Sequence, residues 1–258
     1  MALPKRSVDL FVLVAIILAA IPIAIFARVN FLTSTLLFFG IPSAYLIWRR
    51  PKNFKRALTA GVILGLVLGF SFDFVAEFNK AWGWTVNFAL PIQFFGTVSL
   101  DILVWYFFWV FLVVAYYEYF VERDRSTKIS PHAKWVLLIG LIIAAAVLVV
   151  WKISPNMLVL NHAYAILGAI TLVICALLFF KNPRLIPKVL QVLPFFIFMY
   201  LSYEITSLHL GLWTFPGAYI GTVSIEGVTF PIEELLIWIV ASSSIVATYY
   251  EFCIDDGK

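Results

Sequence analysis

The chain has 258 residues and a formal net charge of +4, with 63% apolar and only 12% charged side chains. Soluble domains carry about 45–50% apolar and about 25% charged residues, so a water-facing fold of this size does not hide so much apolar surface. An ordinary soluble globule is excluded, and lipid becomes the solvent for most of the molecule.

Stretches apolar enough to cross about 30 Å of hydrocarbon lie near residues 9–27, 31–48, 57–78 and 98–121, then 135–151, 157–180, 186–208 and 229–252. The first follows Lys5 and Arg6, as a signal peptide would, but its apolar run is long and no small-x-small cleavage site follows. It reads as a membrane anchor. In the third, Gly61, Gly65 and Gly69 form a ridge of small residues that lets another helix approach closely. The polar stretch from Glu122 to Lys134 is the natural linker between two sets of four spans. Cys175 and Cys253 have no CxxC or Cys/His partner and read as structural thiols without a disulfide framework.

Eight spans predict an all-α integral membrane protein with both termini on one side. The basic residues test that count: with eight spans, only Arg28, Lys80 and Lys152 of the 18 fall on the other side. This asymmetry places both termini in the cytoplasm of a multi-pass cell-membrane protein. The positive charge therefore reports topology and contact with anionic headgroups, not nucleic acid.

The second set of spans echoes the first. Tyr116-Tyr117-Glu118 ends the fourth span, and Tyr249-Tyr250-Glu251 ends the eighth. Asp73 precedes Trp82 by the same nine residues that separate Glu204 from Trp213, and overlaying the tyrosine motifs sets Asp101 opposite Glu234. Two tandem four-helix repeats, 1–126 and 127–258, are expected to enter the membrane in the same direction, related by an axis along its normal with the site between them.

Six acids sit where acids are expensive. Asp73 and Glu77 end the third span, Asp101 opens the fourth, Glu204 ends the seventh, and Glu233 and Glu234 open the eighth. All fall in one layer, and such acids face the bundle interior and share protons when paired. They suit proton donors and acceptors; as polar locks, they would hold helices in register. Trp105 and Trp109 follow Asp101 at helical spacing, Trp238 follows Glu234, and Trp82, Trp84 and Trp213 lie in the loops of the same layer. Aromatic faces of this kind stabilise a carbocation without trapping it, or they form an interfacial belt. Asn161 and His162 read as packing residues, and Glu118 and Glu251, at the other membrane face among tyrosines, read as polar locks or snorkelling side chains. The chain carries no metal motif and no dinucleotide, phosphate-loop or DxxxD pattern, so no metal site or cofactor is evident, and the sequence leaves a flavin or nicotinamide requirement open.

The segment Tyr203-Glu204, Gly211-Leu212-Trp213-Thr214-Phe215-Pro216 and Phe230-Pro231-Ile232-Glu233-Glu234-Leu235 resembles the lycopene cyclase domain family of integral membrane proteins. That family carries an aromatic-acid pair, a G-x-W-x-F loop and a P-[LI]-E-E motif in this order. The first set of spans is similar in Phe72-Asp73 and Trp82-x-Trp84, but reads Ser99-Leu100-Asp101-Ile102 where the family has its P-x-E-E, one proline and one carboxylate short.

The resemblance implies a redox-neutral cyclase that closes the ψ-ends of a C40 or C50 carotenoid, an isomerisation begun by a proton. Glu234 or Glu233 would be the acid and Asp101 its counterpart, with Glu204 and Asp73 positioning or receiving the proton. Trp105, Trp238, Trp213 and Trp82 would line the substrate and shield the cation. The implied partners are a carotenoid or polyprenoid substrate and the bilayer. A hydratase acting on the same end group, a non-catalytic carotenoid binder, or a transport protein with a proton-relay cluster would use the same parts. A retinal photoreceptor would not: it needs a mid-membrane lysine, and every lysine here lies at a span end or in a loop.

Overall fold

The computed structural model describes residues 5–85, 88–123 and 128–255. Arg125, Lys258 and the expected repeat boundary at 126/127 lie outside the described residues. Among the described residues, eight helices are long and apolar enough to cross a membrane: span 1 (Arg6–Ala27), span 2 (Phe31–Arg49), span 3 (Pro51–Phe78), span 4 (Leu100–Val121), span 5 (Ala133–Ile153), span 6 (Ala163–Lys181), span 7 (Pro183–His209) and span 8 (Glu234–Cys253). This is the architecture of a multi-pass membrane protein.

Local chemistry places the span ends. Asn30 caps span 2, its Oδ1 accepting from the Thr33 N–H at 2.9 Å. Pro51 and Pro183 stand at first-turn positions, where a missing N–H costs nothing. Span 3 starts six residues before the expected 57, because the basic stretch after Pro51 continues into the helix instead of looping out.

Span 8 starts at Glu234, later than the apolar pattern suggests, because Val228–Pro231 forms a strand. Its β-branched residues and proline favour an extended chain, and apolarity alone does not distinguish the two. Among the described residues, three two-stranded antiparallel sheets thus supplement the helices at one end of the bundle, the hairpin end. β1 (Gly83–Trp84) pairs with β4 (Trp213–Thr214), β2 (Gln93–Phe94) with β3 (Val98–Ser99), and β5 (Thr222–Ile225) with β6 (Val228–Pro231).

The opposite end gathers both ends of the described chain. Ser130 N–H donates to the Ile254 carbonyl (2.8 Å), and Arg49 Nε pairs with Asp9 Oδ1 at 2.8 Å. Buried Arg56 pairs with Glu118 (2.7 Å) and with Asp255. The Tyr250 hydroxyl donates to Glu118 and the Tyr117 hydroxyl to Glu251, so spans 4 and 8 exchange the same bond in both directions. Glu118 and Glu251 are therefore locks, as their sequence position suggests.

Spans 4 and 8 bury 67% and 56% of their most apolar stretches inside the protein, and span 5 buries 6%. Spans 4 and 8 form the centre of the bundle. Ile139, Ile142 and Val149 of span 5 are exposed, and only lipid makes that arrangement stable.

The glycine ridge of span 3 packs on span 4. A Cβ added at Gly65 would sit 2.7 Å from the Tyr106 carbonyl oxygen, on rigid backbone. Gly65→Ala is expected to destabilise the protein by about 1–3 kcal/mol, read as a fall in thermal midpoint in detergent; an unchanged midpoint would refute the close crossing.

Candidate functional site

The six-acid layer lies at the hairpin end, where three of its members reach one cavity. This cavity holds about 190 Å³ of room for the centres of water-sized molecules. Its wall extends along span 8 from Glu234 to Tyr249, 15 residues or about 22 Å of helix rise, so it is a slot and not a sphere. Most of its lining is apolar and aromatic, and no lysine or arginine is among the described lining residues.

The acids come from three spans. Glu234 and Glu204 face each other across spans 8 and 7. The Trp213 indole N–H donates to Glu204 Oε1 (3.1 Å), and the Tyr164 hydroxyl of span 6 donates to Glu234 Oε2. Asp73 of span 3 lies beside Glu77, Trp82 and Tyr106. Glu77 in turn accepts the Trp84 indole N–H at 2.5 Å. Two carboxylate pairs thus flank one apolar slot.

Aromatic rings form its floor and roof. Trp105 and Trp238 approach to 4.7 Å between ring centroids, and Trp109 packs on Trp238 at 4.8 Å. Nearer the hairpins, Trp84 and Trp213 meet at 6.2 Å with Phe31 against both. The β1–β4 pairing brings those two loop tryptophans together, Trp84 lying directly opposite Trp213.

Seven of the residues expected from sequence line the slot: Asp73, Glu204, Glu234, Trp82, Trp105, Trp213 and Trp238. Asp101 and Glu233 are outside its lining. Asp101 accepts the N–H groups of Ala89 (2.6 Å) and Leu90 (3.1 Å), and Glu233 accepts that of Ile220 (2.7 Å). Each sits two residues beyond a hairpin strand and caps the loop before it. Asp101 and Glu233 thus make the same kind of loop cap, and Glu234 alone of the adjacent pair lines the slot. Removing the Asp101 carboxylate with Asp101→Ala leaves two N–H groups without their acceptor and is expected to cost about 1–3 kcal/mol of stability, measured by thermal unfolding. An unaltered midpoint would show that water replaces the cap.

Tyr164 and Tyr106 also belong to the site, though acids and tryptophans alone do not mark them. Their sequence signal is a hydroxyl on an otherwise apolar span, close to the level of the acid layer. At the rim, the Tyr219 hydroxyl donates to the Ala81 carbonyl (2.8 Å) and accepts the Gly217 N–H (2.7 Å), tying the two loops together. Burial and nearby Glu233 push this phenol up to about 12, so it remains a donor at neutral pH. His162, in the left-handed region at φ 54°, is exposed in the turn before span 6 and plays no part in the site. No group of three or more potential metal ligands occurs among the described residues.

No protein-family model, curated protein or solved structure matches the chain.

Proposed function

We propose that the protein is a membrane-embedded carotenoid end-group cyclase. The observation that carries this reading is the Glu204–Glu234 pair opening onto a slot walled by Trp105, Trp109 and Trp238. An acid sharing a proton with its neighbour can protonate an alkene where water does not compete for the cation.

In the proposed reaction a proton adds at C2 of the ψ-end, C6 attacks the cation at C1, and loss of a proton from C6 or C4 leaves a β- or ε-ring. Glu234 delivers the proton, Glu204 holds the shared proton in place, and the tryptophan faces lie against the cation. Trp213 and Tyr164 fix the two carboxylates by donating to them. Asp73 on the other wall is the proton acceptor. The slot's length suits a rod-like polyene entering from lipid.

The same proposal includes two tandem repeats inserted in parallel, with the hairpin end outside and both termini cytoplasmic. It draws support from the reciprocal Tyr117–Glu251 and Tyr250–Glu118 bonds, the Trp105–Trp238 contact, and the loop caps made by Asp101 and Glu233. The offset between matching positions grows by one residue from the caps to the tyrosines. A π-helical segment, Glu234–Ala241, opens span 8 and accounts for one inserted residue.

Expression in a lycopene-accumulating bacterium, followed by pigment separation and mass measurement, tests the function. A new product of unchanged mass is expected. A product heavier by one water would make it a hydratase; unaltered pigment, with the protein present in the membrane, would overturn the cyclase reading for this substrate.

A further inference from the structure

Asp73 has no exposed surface and lines the slot; among the described residues neither of its oxygens makes a hydrogen bond of full geometry, while Glu77, Trp82 and Tyr106 lie within reach of one. A buried carboxyl group left this way is costly and calls for a reason. Its nearest acid is Glu77, one helical turn toward the hairpin end, about 6 Å along the axis. Glu77 is the next-to-last residue of span 3 and is half-buried, with its carboxylate held by the Trp84 indole.

The Glu204–Glu234 pair lies deeper: both residues are buried, at 1% and 6% exposure. Protons do not cross the apolar wall of the slot unaided, and a chain of titratable groups gives them a path to water. Glu77 and Asp73 form that chain, with one member at the end of its span and the other inside. Tyr106 lies beside Asp73 and close to Glu234, extending the path toward the far wall.

We propose that Glu77 is the proton port of the slot, exchanging protons with water at the hairpin end and passing them to Asp73. In each transfer the Glu77 O–H bond breaks and an Asp73 O–H bond forms; water then returns a proton to the Glu77 carboxylate, and the reverse sequence releases one. Glu77 acts through Asp73 and does not touch the reacting carbons. The inference rests on the site described above, but the exchange itself requires no carotenoid.

The test is infrared spectroscopy of the full chain in lipid vesicles moved from H₂O to D₂O, following the carboxyl C=O band that Asp73→Asn removes. In the parent protein this band is expected to shift promptly. Glu77→Gln is expected to slow the shift by about tenfold or more, with the thermal midpoint checked in parallel, and Glu77→Asp to restore it. Glu226→Gln, in the exposed turn between β5 and β6, serves as the control and leaves the rate unchanged. An unslowed shift in Glu77→Gln would overturn the port, as would the absence of any band assignable to Asp73. Slowed exchange in a protein that leaves lycopene unaltered would keep the port and remove the cyclase reading.

Discussion

Glu234→Gln is expected to lower pigment conversion by about 10²–10⁴-fold, the usual worth of a general acid. The substitution keeps the shape and an oxygen able to accept from Tyr164, but removes the transferable proton. Glu233→Gln is the matched comparison. Glu233 caps the Ile220 N–H, and a glutamine oxygen can do the same, so conversion is expected to stay within a few-fold of the parent. Running both in the lycopene-accumulating strain, with protein levels measured in the membrane, separates adjacent acids that a motif treats alike. Equal loss in both would overturn the assignment of the acid to Glu234.

The largest stability effect is expected at the other end of the bundle. Arg56 is 1% exposed and Glu118 is fully buried; they pair at 2.7 Å, and Arg56 also pairs with Asp255 near the C-terminal end of the described chain. The Arg56 guanidinium lies 5.6 Å from the centre of the Tyr250 ring, whose hydroxyl also donates to Glu118. Arg56→Met would strip the buried Glu118 and the half-buried Asp255 of this partner at once and is expected to cost about 3–5 kcal/mol. Tryptophan fluorescence in detergent, followed through denaturation, gives the measurement. Adding Glu118→Gln to Arg56→Met is expected to recover part of the loss, because the buried charge left behind disappears. A loss below about 1 kcal/mol would place this network with exposed ion pairs.

The span pattern could be read directly because membrane crossing is a property of local composition: about 20 apolar residues in a row are needed wherever they occur. Span 5 shows this best. It packs little within the protein, yet its composition alone places it in lipid. The limits of such reading appear at span 8, where Val228–Pro231 is as apolar as a helix but pairs as a strand. Strand pairing depends on a partner, and a window of composition does not contain the partner.

The acid layer was legible for a similar reason, since charge at membrane depth stands out in any apolar run. What each acid does was not. Sequence alone made Asp101 and Glu234 counterparts and left Glu233 and Glu234 equivalent. Adjacent residues on a helix point about 100° apart, so of the two only one enters the slot while its neighbour caps a loop. Glu77 and Tyr164 gain their meaning from side chains that arrive from elsewhere: Trp84 from the loop for the first, Glu234 from another span for the second. The sequence by itself determined the solvent, the number of apolar spans and the positions of the acids at their ends, because each follows from the cost of placing a given side chain in hydrocarbon. Only the tertiary structure decided which acids pair, which face the slot and which hold loops, because those outcomes depend on direction and on partners distant in the chain.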